Sequence, residues 1–242
     1  MSIVEDALAR DELYIALQPI VDLARGRIFA HEALLRSRAP EFITPVPFLQ
    51  EAVAAGEMGR LGRHLRAMSL AVCPATPLFL NVHPSEFGEG FLVRPDDAIF
   101  SHDHAVYLEI TESVPLTHYR WCHSVLKEIR SKGVLLAIDD LGAGYSNLKY
   151  IADLAPEIVK LDRQLVAGLV QGGRTHRLIS HVVRLCAELG ASVIAEGVET
   201  RGELEALASA GVGLVQGYLL ARPAFPAQPV DLEALRGVKP AR

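Results

Sequence analysis

Eight short apolar runs alternate with amphipathic stretches along this 242-residue chain, and this alternation constrains the fold more than any other feature. Each run is nearly continuous in apolar residues, as in strands of a parallel sheet that is buried on both faces. The runs lie at residues 13–20, 27–34, 77–82, 105–110, 134–140, 157–161, 192–196 and 212–217. The alternation predicts an α/β fold, a closed (β/α)8 barrel of the TIM type rather than an open sheet.

The stretches between the runs carry the periodicity and end signals of helices. Residues 174–189 contain one apolar stripe, which predicts a helix before Gly190. Its members are Leu178, Ile179, Val182, Val183, Cys186 and Leu189. Thr200 and Glu203 have the spacing of a capping box, which predicts a helix that ends near Gly211.

The first connection departs from the barrel pattern. Only the six residues 21–26 separate the first two runs, whereas a parallel crossover needs about a dozen residues or more. These two strands are therefore predicted to form a hairpin, which makes the first strand antiparallel to its neighbour. A turn centred on Arg25 places Gln18 opposite Glu32.

We predict a single domain over residues 1–242, with the barrel core at about 13–226. A short N-terminal helix at about 3–11 and a proline-rich C-terminal appendage flank this core. The net charge of −5 and the 22% of charged residues are those of an ordinary soluble globular protein. Such a composition excludes a wholly disordered chain and offers no basic footprint for a DNA or RNA polymer.

No apolar run approaches the ~18 residues that a membrane span requires. The N-terminus carries acidic residues early and lacks the pattern of a secretory signal. We therefore expect a cytoplasmic protein that does not interact with a membrane. Cys73, Cys122 and Cys186 are widely spaced and odd in number, which favours free buried thiols over disulfides or a metal site.

Polar side chains lie at the ends of the apolar runs. They are Glu32, Asn81, Glu109, Asp139, Asp140, Lys160, Glu196 and Gln216. The carboxyl ends of barrel strands converge on one face, which is where barrel enzymes place their chemistry. A single acid at a strand end is more often a helix cap or a surface residue, but eight polar ends in register favour a metal-dependent barrel enzyme.

Converging carboxylates repel one another, which raises their pKa values unless cations relieve the repulsion. Oxygen ligands suit Mg²⁺ or Mn²⁺ better than zinc. Asp139 and Asp140 can each reach a different ion if the strand bends, and Gly142 and Gly144 permit such a bend. Two ions about 3.5–4 Å apart are the usual apparatus for cutting phosphodiesters. An unrelated divalent-metal barrel enzyme, such as an enolising lyase, would also use carboxylates at strand ends.

A series of motifs, which includes Glu32-Ala33-Leu34, resembles the EAL-domain phosphodiesterases over about Leu13 to Pro226. In order, the motifs are QPIVDL (18–23), EALLR (32–36), NVH (81–83), LEITE (108–112), DDLGAGYSNL (139–148), KLD (160–162), AEGVE (195–199) and QGY (216–218). The resemblance implies a barrel with an antiparallel first strand. It also implies hydrolysis of cyclic di-GMP to linear pGpG in bacterial second-messenger signalling, through a water activated by two Mg²⁺ or Mn²⁺ ions.

The resemblance also implies residue roles. One ion would be held by Glu32, Asn81, Glu109 and Asp139, and the second by Asp139, Asp140 and Glu196. The implied catalytic residues are Glu32, Lys160 beside the attacking water, Glu196 as a candidate general base and Glu199, which would support the site from behind. The implied contacts to the dinucleotide are Gln18, Arg36, Asp162 and Gln216. Glu112 would anchor the loop after Asp140, which couples metal occupancy to homodimerisation in the family.

The departures from the family pattern lie at secondary positions. Leu141, Ala143 and Asn147 replace the usual Phe, Thr and Ser of the loop, which puts the rate and the dimer coupling in doubt. His83 replaces a serine and is either a structural residue or a contact to substrate or metal. The alternative function is a weak or inactive EAL domain that acts as a cyclic di-GMP receptor or a protein-interaction module. Loss of a metal ligand would favour that alternative, and no ligand position is lost.

Overall fold

The eight predicted runs form strands that close into one barrel in chain order in the computed structural model. The structure describes residues 7, 12–38, 45–111, 119–143, 148–231 and 233–241. The strands are β1 (Leu13–Asp22), β2 (Arg27–Ser37), β3 (Leu78–Asn81), β4 (Val106–Thr111), β5 (Leu135–Leu141), β6 (Ile158–Leu161), β7 (Ser192–Ala195) and β8 (Leu214–Val215). The predicted (β/α)8 barrel is confirmed.

The first strand runs against its neighbours, as the short connection predicted. β1 pairs antiparallel with both β2 and β8, and the remaining neighbours are parallel. Gln18 lies opposite Glu32 in the register, and the register shifts between Ile20 and Val21. The Asp22 carboxylate accepts a hydrogen bond of 3.0 Å from the backbone N–H of Arg25, which stabilises the turn.

Helices cover the outside of the barrel. They are α1 (Pro45–Ala54), α2 (Met58–Val72), α3 (Tyr119–Ser131), α4 (Leu148–Leu154), α5 (Arg163–Val166), α6 (Arg174–Glu188) and α7 (Arg201–Ser209), with 3-10 turns at Pro84–Gly88, Ala98–Phe100 and Glu233–Leu235. The capping box that starts α7 is confirmed, since Glu203 N–H donates to Thr200 Oγ1 and Thr200 N–H donates to Glu203 Oε2. In the described ranges no helix has the length and apolarity needed to cross a bilayer.

The apolar stripe of α6 is only partly buried. Ile179 and Cys186 are fully buried, whereas Leu178 is 52% exposed and Leu189 is 42% exposed. The predicted helix is confirmed, but the face that packs on the barrel is narrower than the apolar stripe. Leu178 precedes Ile179 by one residue, which rotates its side chain by about 100° around the helix and away from the barrel.

The cysteines and the two ends of the chain are described only in part. Cys73 and Cys186 are buried free thiols, whereas the Cys122 side chain lies outside the described part of the chain. The predicted N-terminal helix at 3–11 also lies outside the described residues, apart from Ala7. The C-terminal segment packs on the protein through Leu235 and Val238, both buried.

An apolar layer fills the lower part of the barrel interior. It consists of Ile20, Ala30, Phe79, Tyr107, Ala137, Ile158, Ile194 and Leu214. The rings of Phe79 and Tyr107 stack with their centroids 4.3 Å apart and an interplanar angle of 6°. Because strand side chains alternate between faces, the next inward-facing position on each strand is two residues away from this layer.

We predict that Phe79→Ala lowers the free energy of unfolding by about 3–5 kcal/mol, because it removes a fully buried ring and leaves a cavity. Urea denaturation measures the change. Leu178→Ala is the control and is expected to stay within about 0.5 kcal/mol, since its side chain is half exposed. A loss below about 1 kcal/mol for Phe79→Ala would contradict the packing role of this layer.

Candidate metal centre

A polar layer lies directly above the apolar layer inside the barrel. Each of its side chains is two residues along the chain from a member of the apolar layer. The polar layer consists of Gln18, Glu32, Asn81, Glu109, Asp139, Lys160, Glu196 and Gln216. The alternation of the strands and the closure of the barrel bring these residues together, although they span almost the whole chain.

Lys160 lies at the centre of the polar layer and is 1% exposed. Its Nζ atom is 2.5 Å from Glu109 Oε1 and 2.5 Å from Glu196 Oε1. It is 3.4 Å from Asp139 Oδ1 and 3.5 Å from Glu32 Oε2. One ammonium group therefore faces four carboxyl groups, so the site holds excess negative charge when all of them are ionised.

Burial and mutual repulsion shift the pKa values of these groups. Burial is the largest cause that raises the pKa of Glu109 well above its usual range, against the opposing effect of Lys160. Burial likewise raises the pKa of Asp139, and that of Glu196 from 4.5 to about 8. Burial alone would lower the pKa of Lys160, but the carboxylates, Glu109 first among them, raise it well above its usual range. The acids thus favour uptake of positive charge, from protons or from cations.

Two amide side chains hold Glu32 in place. Gln216 Nε2 donates to Glu32 Oε2 at 2.6 Å and to Gln18 Oε1 at 2.9 Å. Gln18 Nε2 in turn donates to the backbone carbonyl of Ala221 at 3.1 Å. Asn81 Nδ2 donates to the other oxygen of Glu32 at 3.3 Å. Glu32 is therefore oriented from both sides by residues of β1, β3 and the end of β8.

The polar layer has the donors that a divalent cation needs. Carboxylate oxygens of Asp139, Asp140 and Glu196 lie within 4.8 Å of one another. Both carboxylate oxygens of Glu109 are buried without a hydrogen bond of proper geometry in the described part of the chain, although Oε1 lies close to Lys160. A buried carboxylate without hydrogen bonds is costly, and a cation would relieve that cost. These oxygen donors fit Mg²⁺ or Mn²⁺.

Strand β5 bends at the two adjacent aspartates, Asp139 and Asp140. The register of β5 against β6 shifts between Ile138 and Leu141. Asp140 has a φ of 61°, in the left-handed region that few residues other than glycine adopt. The bend therefore falls at Asp140 itself, followed by Gly142 with a φ of 110°. This conformation turns the Asp140 carboxylate toward the group that contains Asp139, and backbone strain of this kind is typical of functional sites.

Three predicted site residues have other contacts. Glu199 forms an ion pair with Arg163 at 2.9 Å. Asp162 Oδ1 accepts from the backbone N–H of Gln164 and caps α5. Arg36 Nη1 donates to the backbone carbonyl of Leu35. Arg36 also lines, together with Asn81 and His83, a cavity of about 460 Å³ between β2, β3 and helices α1 and α2.

The loop that departs from the family pattern is described only in part. Leu141 is 3% exposed and belongs to the core between the barrel and the helices. Ala143 is exposed. Glu112, Gly144 and Asn147 lie outside the described residues, so the predicted anchoring role of Glu112 stays a prediction.

His83 has a structural contact in the turn after β3. Its Nδ1 atom accepts from the backbone N–H of Ser85 at 3.2 Å and pairs with Ser85 Oγ at 2.7 Å. His83 and Glu86 form a capping box for the 3-10 turn at Pro84–Gly88. Of the two open interpretations of His83, this geometry supports the structural one.

A buried ion network escaped the sequence analysis. Arg66 of α2 is 2% exposed, and its Nη1 atom contacts Glu86 Oε2 at 2.6 Å. Its Nη2 atom contacts Asp97 Oδ2 at 2.8 Å. The spacing of His83 and Glu86 in the sequence resembles a capping box and could have indicated Glu86, but no local pattern indicates that Arg66 is buried.

Comparison with known proteins decides the family. The profile of the EAL domain matches residues 1–223. The chain belongs to the EAL domain family. A cyclic di-GMP phosphodiesterase of Pseudomonas aeruginosa is 34% identical over 232 residues, which are 90% of this chain and 39% of that protein. The EAL domain spans less than half the length of this curated relative.

Solved structures give the same fold. The Klebsiella pneumoniae protein BlrP1, in a complex with manganese and cyclic di-GMP, is 34% identical with a TM-score of 0.77. The match covers 88% of this chain and 56% of that one. The PaMucR phosphodiesterase in its cyclic di-GMP complex is 30% identical with a TM-score of 0.75, over 88% of this chain and 97% of that one. These likenesses confirm the barrel of the EAL domain.

We predict that the metal-free protein becomes less stable as the pH rises. The folded state raises the pKa of Glu196 from 4.5 to about 8, so between these values it binds a proton that the unfolded chain releases. Stability is then lost with rising pH, by up to about 1.4 kcal/mol per pH unit for each such proton. Urea denaturation in EDTA at several pH values measures the slope. Glu196→Gln is expected to flatten it, and stability that increases over this range would contradict the prediction.

Proposed function

We propose that this EAL domain is a metal-dependent phosphodiesterase that hydrolyses cyclic di-GMP to linear pGpG. The observation that carries the proposal is the polar layer, in which carboxyl oxygens of four acids converge around Lys160. The names of the curated relatives and the manganese and cyclic di-GMP complex of BlrP1 support the same reaction.

The proposal assigns two ions, Mg²⁺ or Mn²⁺, to the oxygen donors of the site. One would be held by Glu32, Asn81, Glu109 and Asp139, and the other by Asp139, Asp140 and Glu196. Such ions activate water and neutralise charge on a phosphodiester. The grouping of the Asp139, Asp140 and Glu196 oxygens within 4.8 Å supports the second set.

The protein's own residues supply the remaining chemistry. Lys160 holds a positive charge inside the barrel, where water screens that charge only weakly. It can therefore stabilise negative charge that develops on the phosphate. Glu196 is the candidate general base. Glu32 is kept in one orientation by Gln216 and Asn81.

The proposal places the dinucleotide against the rim of the polar layer. Arg36 has a guanidinium group suited to phosphate and lies in the wall of the cavity beside Asn81. Contacts from Gln18, Gln216 and Asp162 stay predictions, as does the support of the site by Glu199. Gln216 already donates to Glu32 and also to Gln18, so substitution of either amide would affect the metal ligand as well as the substrate.

Homodimerisation and a cytoplasmic location also stay predictions. Light scattering during gel filtration of the purified protein, with and without Mn²⁺, tests the dimer.

Incubation of the purified protein with cyclic di-GMP is expected to yield pGpG with Mg²⁺ or Mn²⁺ and no product with EDTA. Chromatography follows substrate and product. Intact substrate, together with measurable binding in the presence of either metal, would contradict the enzyme and favour the receptor function.

Substitution of a shared ligand tests the site itself. Asp139→Asn is expected to lower turnover by about 10³-fold or more, equivalent to ~4 kcal/mol of transition-state stabilisation, while the protein stays folded. The control is Glu205→Gln, an exposed acid in an ion pair with Arg201 on α7. Substantial turnover by Asp139→Asn with normal metal content would rule out the proposed ligand set.

A further inference from the structure

Asn81 lies where β3 ends and the chain leaves the barrel. Its backbone is fixed on the barrel side, since it pairs with Glu109 and the next residue, Val82, donates its N–H to the Glu109 carbonyl at 3.0 Å. Beyond Val82 the sheet no longer holds the chain. The direction in which Asn81 presents its side chain therefore depends on what fixes the turn that follows.

The turn is fixed by Glu86. Glu86 Oε1 accepts from the backbone N–H of His83 at 3.0 Å, two residues after Asn81. Glu86 is itself 1% exposed and is held through its other oxygen by Arg66 at 2.6 Å. A carboxylate so deeply buried needs this cation, because burial without a partner would displace or neutralise it.

Arg66 is held in turn by a second carboxylate. Its Nε and Nη2 atoms contact Asp97 Oδ2 at 3.2 Å and 2.8 Å. Helix α2 also passes very close to Glu86, since a Cβ atom at Gly62 would lie 2.0 Å from Glu86 Oε2. The contacts form one buried chain from Asp97 through Arg66 and Glu86 to the backbone beside Asn81.

We propose that Arg66 and Glu86 are positioning residues for the Asn81 metal ligand. They act by fixing the turn that orients Asn81, and neither belongs to the proposed ligand set. The inference rests on the proposed function, in which Asn81 belongs to only one of the two ion sites. Loss of the Glu86 contact should therefore weaken the binding of one ion and leave the binding of the ion held by Asp139, Asp140 and Glu196 unchanged.

Glu86→Met tests the proposal without leaving a buried charge unpaired, since Arg66 keeps its contacts with Asp97. The protein is titrated with Mn²⁺ alone, and calorimetry and electron paramagnetic resonance monitor the titration. The two binding steps are those of the two proposed ions. We expect Glu86→Met to weaken one step by about tenfold or more, as is typical for groups behind a metal ligand. Asn81→Ala should weaken the same step, and the other step should change by less than about twofold in both variants.

Arg63→Met is the matched control. It removes an ion pair of 2.7 Å from α2 to Asp96, which is next to Asp97 in the chain. Among the described contacts, Arg63 is not a partner of Glu86. Neither binding step should change. Arg66→Lys keeps the positive charge but cannot reach both carboxylates with one ammonium group, so it should weaken the Asn81 step less than Glu86→Met does. It also provides the test if Glu86→Met does not fold.

Circular dichroism establishes that each variant is folded. A folded Glu86→Met protein with both Mn²⁺ steps unchanged would overturn the positioning role. Equal weakening of both steps would also overturn it, because the effect would then be general. A wild-type protein that binds no Mn²⁺ would instead refute the proposed metal site, and with it this inference.

Discussion

The concentration of buried negative charge around Lys160 is the constraint on which the site depends. Four carboxyl groups lie within 3.5 Å of one ammonium group. Apolar packing cannot offset the free energy that it costs to remove ionised groups from water. The acids must therefore keep protons, or the site must bind cations. Burial and the neighbouring carboxylates raise the pKa of Glu196, and the buried oxygens of Glu109 have no well-aligned hydrogen bond within the described residues. The protein's own cation does not neutralise all of the negative charge in this site, so the site is well suited to divalent ions.

The barrel both creates this charge concentration and makes it tolerable. Its closure directs the inward-facing position of every strand to one axis, so that acids far apart in sequence must meet. The apolar layer beneath, with Phe79 stacked on Tyr107, keeps the lower side of the acids away from water. Electrostatic interactions are stronger in such surroundings than in water, which benefits both the Lys160 contacts and any charge stabilisation during the proposed reaction.

Much of this arrangement could be predicted from the sequence because it follows from short-range rules. The number of strands, the hairpin and the Gln18–Glu32 pair follow from run spacing and loop length. The polar residues at strand ends are visible for the same reason. The ion network of Arg66 was not predictable, since its two partners lie on other segments and no local period marks a buried arginine. Leu178 is exposed because only a narrow face of α6 contacts the barrel. The periodicity of apolar residues does not determine the width of that face.

The reversed first strand and the amide contacts to Glu32 are one feature of the chain. In the seven strands that run upward, the polar residue follows its apolar partner by two positions, as Glu32 follows Ala30. In β1 the order is inverted, and Gln18 precedes Ile20. The inversion is required, because an antiparallel strand reaches the polar layer before the apolar one. It also places Gln18 between the second strand and the last, where it accepts from Gln216 while Gln216 donates to Glu32. The strand that closes the barrel thus completes the hydrogen bonds that orient a proposed metal ligand.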